Sequence, residues 1–331
     1  MKRKILLITI HLLLISGYIH AQCACGGMSG GIGAAGTRFG LSAVGAGSLQ
    51  LQLAYDFNYM DNLYSGKTRL ENENLVRLIH TGIFGANYGI TRNLSITGIF
   101  LYLGQEMAST RADGFRYVDY LYGFGDVILM ANYRLTNPLA YNGWEISAGA
   151  GPKLPTGRFT YTGTDDALIP MEAQLGTGSL DVITWASFAK SHLFITNLNF
   201  GSGMMFRLSG RNSNYLEGQV YDFGNELQSN AGLIYNVHAG YIFDIFNFVR
   251  YRYQAKDFID GESVGNTGGH WLFTSPGVRA GINEKFSAFI SADIPLYHNL
   301  NGPQLTTTIR FSIGVSYTIE RRQTIELMPH P

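Results

Sequence analysis

Sulfur chemistry is the first possibility that this sequence raises, because its only two cysteines, Cys23 and Cys25, form a Cys-x-Cys pair close to Met28. Thiolates and thioethers are the ligands that Cu(I) prefers. Two thiols are nevertheless an incomplete site, and no second Cys or His pair closes it. The thiols also have other states open to them: a strained disulfide with each other, a disulfide between molecules, or free thiols. The residues before Cys23 are a poor match to a lipidation signal. A copper-binding segment is one hypothesis, and no cofactor is predicted.

Catalysis by a Ser–His pair, as in lipid hydrolases, is the second possibility. Five histidines are available along the chain: His80, His192, His238, His270 and His298. The sequence contains no G-x-S-x-G motif, however, and no serine stands out as a partner. We therefore do not predict an enzyme.

The remaining candidates are charged or polar side chains that alternate with apolar ones along extended segments. They are Asp126, Arg134, Glu145, Lys153, His238, Arg250, Arg252, Arg279, Asp293 and Arg310. In a strand, such alternation places all the polar side chains on one face. Four arginines, Arg250, Arg252, Arg279 and Arg310, form either a basic ladder that selects anions or ion pairs with Asp56, Asp126, Glu145 and Asp293 that stiffen a wall. Asp126 is expected to pair across strands with Lys153 or Arg134.

The elements that position these residues are long amphipathic strands, of which residues 306–319 are the clearest. Ile309, Phe311, Ile313, Val315, Tyr317 and Ile319 take every second position, and polar residues fill the gaps. About fourteen residues suffice to cross a bilayer at a tilt. This strand lies near the C-terminus, and the spacing of its Ser312, Gly314, Tyr317 and Ile319 resembles the signal by which the outer-membrane assembly machinery recognises barrels. We expect that machinery, and outer-membrane lipid, to be partners.

About twelve segments share this alternation, and short and long connections between them alternate as well. The segments are 48–60, 75–89, 93–105, 122–135, 143–155, 178–190, 192–208, 228–244, 246–256, 271–283, 285–297 and 305–319. Long polar connections fall at 61–74, 106–121, 156–177, 209–227 and 257–270; short turns include 89–93, 190–192, 244–247 and 283–285. In segment 94–103 apolar residues lie on both faces, so Ile99, Leu101 and Leu103 are expected to line part of the lumen. The pattern predicts an all-β, antiparallel up-and-down transmembrane barrel of about twelve strands.

The N-terminal residues predict export. Lys2, Arg3 and Lys4 precede an apolar run, and 1–21 reads as a signal peptide. Its removal leaves 21 basic against 24 acidic residues, and no basic patch suggests nucleic-acid binding. Residues 22–47 are rich in Gly and Ala and are expected to form a flexible arm or a lumen plug. The barrel is then 48–319, followed by a periplasmic tail at 320–331, and the expected location is a bacterial outer membrane.

Three blocks in the middle of the chain indicate a family resemblance. They are Gly123-Phe124-Gly125-Asp126-Val127 leading to Tyr133-Arg134, Lys153-Leu154-Pro155-Thr156-Gly157, and Gly176-Thr177-Gly178-Ser179-Leu180-Asp181. In order and spacing they resemble an outer-membrane family labelled for the meta-pathway of phenol degradation. That family is similar to the wider fatty-acid and aromatic-hydrocarbon transporter barrels. The resemblance covers about 60 residues. It implies transport of a hydrophobic or aromatic small molecule.

The expected function is passage of a small-molecule solute through the lumen or through a lateral opening. Two alternatives from other classes stay open: a copper-linked barrel that uses Cys23 and Cys25, and a structural or adhesive barrel whose long loops bind outside partners. The Pro155-Thr156-Gly157 block has two interpretations as well, since it either shapes a ligand-binding loop or simply ends a strand.

Overall fold

The computed structural model describes residues 44–72, 75–110, 115–136, 143–164, 168–239 and 241–320. The predicted signal peptide, residues 22–43 of the predicted arm with Cys23 and Cys25, and residues 321–331 lie outside them. The strands are β1 (Leu49–Gly66), β2 (Thr68–Leu70), β3 (Leu75–Gly89), β4 (Leu94–Thr110), β5 (Arg116–Phe124), β6 (Val127–Arg134), β7 (Trp144–Leu154), β8 (Asp181–Lys190), β9 (Leu198–Leu208), β10 (Arg211–Tyr215), β11 (Gln219–Asp222), β12 (Glu226–Ala239), β13 (Tyr241–Gln254), β14 (Phe258–Ile259), β15 (Glu262–Ser263), β16 (Gly269–Gly281) and β17 (Phe286–Ile319). Two 3-10 turns, Met171–Ala173 and Leu216–Gly218, complete the list.

Eleven of these strands form one closed antiparallel barrel. Their order is β17-β16-β13-β12-β9-β8-β7-β6-β4-β3-β1, and β17 pairs again with β1 to close the ring. At the seam, Leu49 lies opposite Ile319 and Leu63 opposite Leu305. Closure leaves no unpaired edge within the ring, which is the condition for a β-structure to cross a membrane.

The last strand, β17, accounts for the difference between eleven strands and the predicted twelve. It is 34 residues long, and its first half pairs with β16 while its second half pairs with β1. The chain reverses near Gly302, whose φ of 75° is a left-handed conformation. The Ser287 and Ser316 hydroxyls then lie 2.8 Å apart. Counted as two arms of a hairpin, β17 brings the wall to the predicted number.

Side-chain burial follows the predicted alternation. In β1, Gln52, Asp56 and Asn58 are buried, whereas Leu53 and Tyr55 are exposed. In a protein surrounded by water, the apolar side chains would be buried and the polar ones exposed, because removing apolar surface from water lowers the free energy. In a membrane the exposed apolar face meets lipid and the polar face lines the lumen. Among the described residues, no helix is long and apolar enough to cross a membrane.

Two predicted short turns differ in the structure, one in its position and one in its length. Asp244 to Asn247 belong to β13 rather than to a turn, and β12 ends at Ala239. Asp244 accepts hydrogen bonds from Asn236 and Arg279. Its side chain is therefore part of the polar lumen wall, and the residue lies within a strand instead of at its end. The predicted strand 192–208 begins only at Leu198, because a longer turn over 191–197 is held by the bond from the Leu193 amide to the Leu198 carbonyl.

Four predicted loops contain regular structure, and in the first, 61–74, the end of β1 pairs with β2. The connection expected at 106–121 is mostly the hairpin of β4 and β5, and the strand expected at 122–135 is divided into β5 and β6 by a bulge at Gly125-Asp126. The connections at 209–227 and 257–270 contain β10, β11, β14 and β15, which form a separate four-stranded sheet. Their aromatic residues Tyr215, Tyr221 and Phe223 pack on Met171, and this apolar contact orders segments that sequence polarity assigned to loops. We call this end of the barrel the long-loop end.

Candidate functional site

A row of alternating charges runs across six neighbouring strands inside the barrel, from the start of β6 through β7, β8, β9 and β12 to β13. Its members are, in spatial order, Asp126, Lys153, Asp181, Arg207, Glu226 and Arg252, joined by N···O distances of 2.7, 3.2, 3.6, 2.9 and 2.7 Å. All six side chains are buried. We call this row the charge chain. It contains three cations and three anions and is therefore neutral.

Two further buried ion pairs extend the polar wall. Arg250 lies 2.7 Å from Asp293, and Arg310 lies 2.7 Å from Asp56, which agrees with the alternative of ion pairs that stiffen the wall. The Arg250 guanidinium also lies 4.3 Å from the Phe273 ring centre. A guanidinium suits this environment because it combines a planar hydrogen-bonding fork with weak hydration.

The other predicted site residues lie apart from the charge chain. Arg134 and Glu145 form a looser, partly exposed pair at 3.6 Å. Arg279 donates to Asp244 at 2.6 Å, with about half of its side chain exposed. His238 is exposed near the end of β12. All four arginines of the hypothesised basic ladder, Arg250, Arg252, Arg279 and Arg310, have carboxylate partners, so they form ion pairs instead of a row of uncompensated cations.

Four of the paired charges inside the barrel were not predicted from the sequence: Asp181, Arg207, Glu226 and Asp244. The alternation along β9 could have predicted Arg207, because Arg207 lies on the same inward face of this strand as Met205. Glu226 was missed because its strand begins earlier than predicted. Asp244 was assigned to a turn. Identifying which acid meets which base required the register between strands, which no single strand contains.

The three blocks that carry the family resemblance meet in space around Asp126. Its carboxylate accepts hydrogen bonds from Lys153 Nζ at 2.7 Å, the Gly157 amide at 2.9 Å and the Thr177 hydroxyl at 2.8 Å. Lys153 Nζ also donates to the Ser179 carbonyl at 3.1 Å. We call Asp126, Lys153, Gly157 and Thr177 the clasp. It ties both ends of the connection between β7 and β8 to the barrel wall.

The described residues of the connection held by the clasp, 156–164 and 168–180, turn into the lumen, and we call them the inward loop. Gly157 and Gly176 bring its two ends into backbone contact: a Cβ on Gly176 would stand only 2.3 Å from the Gly157 carbonyl oxygen. Farther along, Ile169, Ala173 and Leu175 are buried. The segment predicted as a long polar connection therefore fills part of the barrel interior.

The inward loop covers an apolar patch of the lumen wall. The wall members of this patch are Ala54, Ile83, Ile99, Leu101, Leu103, Leu121, Ile128, Met130, Ile183, Trp185 and Met205. The expected inward position of Ile99, Leu101 and Leu103 is confirmed. Burial of such side chains is worth about 25 cal/mol for each Å² of apolar surface removed from water. The lumen thus combines an apolar patch with a neutral polar wall.

Glu172 lies on the inward loop between the patch and the long-loop end. Arg77 Nη2 donates to the Glu172 backbone carbonyl at 2.9 Å and to Gln105 Oε1 at 2.5 Å. Burial raises the pKa of the Glu172 carboxyl; nearby Arg77 opposes this shift and Asp257 adds to it. Burial also raises the pKa of Asp257, although the Gly224 amide and the Tyr221 hydroxyl donate to that carboxylate.

The described part of the chain holds no group of three or more His, Cys, Asp or Glu side chains arranged for a metal ion. Cys23 and Cys25 lie outside it, so the copper-binding segment stays a prediction.

Comparison with known proteins supports the fold. No family model and no curated protein sequence matches the chain. Among solved structures, an outer-membrane channel of the group COG4313 from Pseudomonas putida F1 is similar with a TM-score of 0.67 and 14% identity, over 84% of this chain and 98% of that one. The NanC porin (0.43, 12% identity, 81% and 98%) and the CymD monoaromatic hydrocarbon channel (0.39, 11% identity, 84% and 90%) are more distant. The fold is that of a bacterial outer-membrane barrel, and none of these three structures is described as an enzyme.

Proposed function

We propose that this protein is an outer-membrane channel for a small apolar or aromatic solute. The observation that carries the proposal is the apolar patch inside the lumen, beneath the inward loop. A lumen built for hydrophilic solutes is polar and filled with water. Here an apolar solute can replace Leu175 and Ala173 on the patch when the inward loop shifts.

The neutral charge chain supports the same proposal. Each arginine and the lysine of the charge chain contact a carboxylate, so the charge chain attracts a charged solute only weakly. Paired charges of this kind stiffen the barrel wall. Because each positive charge lies beside a negative one, their electric fields largely cancel at the position of a passing ion.

The shape of the wall favours a lateral route for such a solute. β5 pairs only with β4, while β7 ends at Leu154, so the described wall has no strand on the other side of β5. Two contacts from the inward loop span this gap: Tyr161 donates to the Tyr122 carbonyl, and the Thr164 amide donates to Asp119, both at 2.8 Å. Movement of the loop would open a path from lumen to lipid.

Uptake should be measured across an intact outer membrane, because a simple lipid bilayer is itself permeable to apolar solutes. We expect cells that express the protein to take up a labelled alkylbenzene faster than cells with an empty vector, with no change for a labelled disaccharide. Equal gains for both solutes would indicate a polar pore. No gain for either would favour a structural or adhesive barrel.

The role of residues 22–47 is testable in planar bilayers. We propose that this arm plugs the lumen, and therefore expect larger single-channel conductance from a form that lacks 22–47 than from the mature chain. Equal conductance would place the arm outside the lumen. Copper analysis of the same preparations addresses the metal alternative, which predicts bound copper that is lost in a Cys23→Ser/Cys25→Ser variant.

A further inference from the structure

A cavity of about 390 Å³ lies at the long-loop end, between the barrel wall and the inward loop. Apolar side chains that line it are Leu63, Leu75, Met107 and Leu305. Three charged residues line it as well: Asp119, Glu172 and Arg77. The volume falls in the range of small-molecule sites, which combine apolar walls with a few polar groups that orient the ligand.

The three charged side chains are not equivalent. The Arg77 guanidinium points to its partners, since Nε and Nη2 both donate to Gln105 Oε1 and Nη2 also reaches the Glu172 carbonyl. Glu172, in contrast, forms no ion pair with a basic side chain among the described residues. Asp119 accepts from the Thr164 amide with one oxygen, Oδ1. The carboxylates are therefore the charged groups of this cavity with capacity for a new partner.

We propose that this cavity binds a small amphiphile with one ammonium group and an apolar body, held by Glu172 and Asp119 against the apolar wall. An ammonium group carries three donors, and each carboxylate in the lining can accept a charge-assisted hydrogen bond from it. Burial already disfavours the charged form of Glu172, and a cation in the cavity would restore that form by direct attraction. The inference rests on the proposed function, to which it adds a separate binding site for apolar molecules that carry one ammonium group.

The test uses the refolded full mature chain and three probes of similar size: 2-phenylethylamine, 3-phenylpropanol and 3-phenylpropionate. Binding is followed by calorimetry in a zwitterionic detergent. We expect the amine to bind more tightly than the alcohol, and the carboxylate not to bind. A Glu172→Gln variant should lose about tenfold in affinity for the amine, as for a charge-assisted contact, and should keep its affinity for the alcohol.

Glu262→Gln, on an exposed hairpin outside the cavity, is the matched control and should bind all three probes unchanged. Asp119→Asn is a second cavity variant in case Glu172→Gln fails to fold, and we expect it to weaken amine binding as well. Equal affinity for amine and alcohol, or full amine binding by both cavity variants, would overturn the inference.

The binding experiment separates this inference from the proposed function. Tight amine binding without uptake of any apolar solute would reject the channel and leave the cavity assignment standing. Alkylbenzene uptake without amine binding would do the reverse.

Discussion

At the scale of single residues, the buried lysine of the clasp shows how this lumen handles charge. Lys153 Nζ lies 2.7 Å from Asp126 and 3.2 Å from Asp181, and all three side chains are buried. A buried ion pair contributes little net stability over an apolar alternative, because desolvation offsets the attraction. Removal of one partner is costly, since the other charge stays buried.

Lys153→Met should therefore destabilise the barrel strongly. We expect a loss of about 3–5 kcal/mol in the free energy of unfolding, measured in urea, because Asp126 and Asp181 remain buried without their shared cation. Arg211→Met is the matched control: its pair with Asp222 at 3.1 Å is exposed, and such pairs are worth about 0–1 kcal/mol. Equal losses in the two variants would contradict the structural role of Lys153.

The carboxyl of Glu172 predicts a pH dependence. Its pKa is raised by burial, so the folded chain holds this proton more tightly than the unfolded chain does. Stability should therefore fall as the pH rises from below the ordinary Glu pKa to above the raised one. Glu172→Gln should remove the contribution of this carboxyl to the loss of stability with rising pH. The variant should therefore have a higher urea midpoint than the unsubstituted protein at neutral pH, but not at acid pH. The effect is modest, because Glu172 retains some exposed surface. A Glu262→Gln control should leave the difference between the two pH values unchanged.

At the scale of elements, the inward loop occupies part of the lumen and would, in the proposed channel, limit what the lumen admits. Its ends meet through the Gly157–Gly176 backbone contact and the clasp, and its centre lies on the apolar patch through Ile169 and Leu175. The same glycines end strands and form turns in many proteins. Here their lack of a side chain allows two backbone segments to touch.

Gly176→Ala should displace the inward loop, because the added Cβ would stand 2.3 Å from the Gly157 carbonyl oxygen. We expect larger conductance in planar bilayers and faster alkylbenzene uptake by cells. Gly265→Ala is the control, since a Cβ there meets no atom within 4 Å and its φ is ordinary. Unchanged conductance and uptake in a folded Gly176→Ala protein would show that the loop does not limit the path.

At the scale of the whole molecule, the barrel has an apolar belt outside and a charge-balanced wall inside. The balance depends on pairs between strands that are distant in sequence, such as Asp56 with Arg310. A lumen of this kind has a polar surface without a strong net field.

The current through the barrel should consequently discriminate little between K⁺ and Cl⁻. In a KCl gradient we expect a reversal potential near zero, measured with the Gly176→Ala form if the unsubstituted barrel conducts poorly. Glu226→Gln should shift it toward anion selectivity, because Arg207 and Arg252 then lose the carboxylate they share. An exposed substitution, Glu262→Gln, should not. A strongly cation- or anion-selective unsubstituted channel would contradict the balance described here.

Patterns within single strands determined the fold class of this protein. Alternation along β1 and β17 predicted which side chains line the lumen, because neighbouring residues of a strand point to opposite faces whatever the strand pairs with. The same rule predicted the inward positions of Leu101 and Leu103. The sequence did not show that these residues belong to one apolar patch, because such a patch forms only when several strands come together.

Tertiary structure alone decided the pairing of charges, the course of the loops and the cavity. Glu226 contacts Arg207 and Arg252 only because three strands pair in one register, and a slip of one residue would send each side chain to the other face. The start of the inward loop is held by Asp126, which lies about thirty residues before it and accepts a hydrogen bond from the Gly157 amide. These contacts join distant parts of the chain, and a local pattern holds no information on which distant partner is met. The sequence by itself thus determined a barrel and its two faces, and only the closed structure decided what fills it.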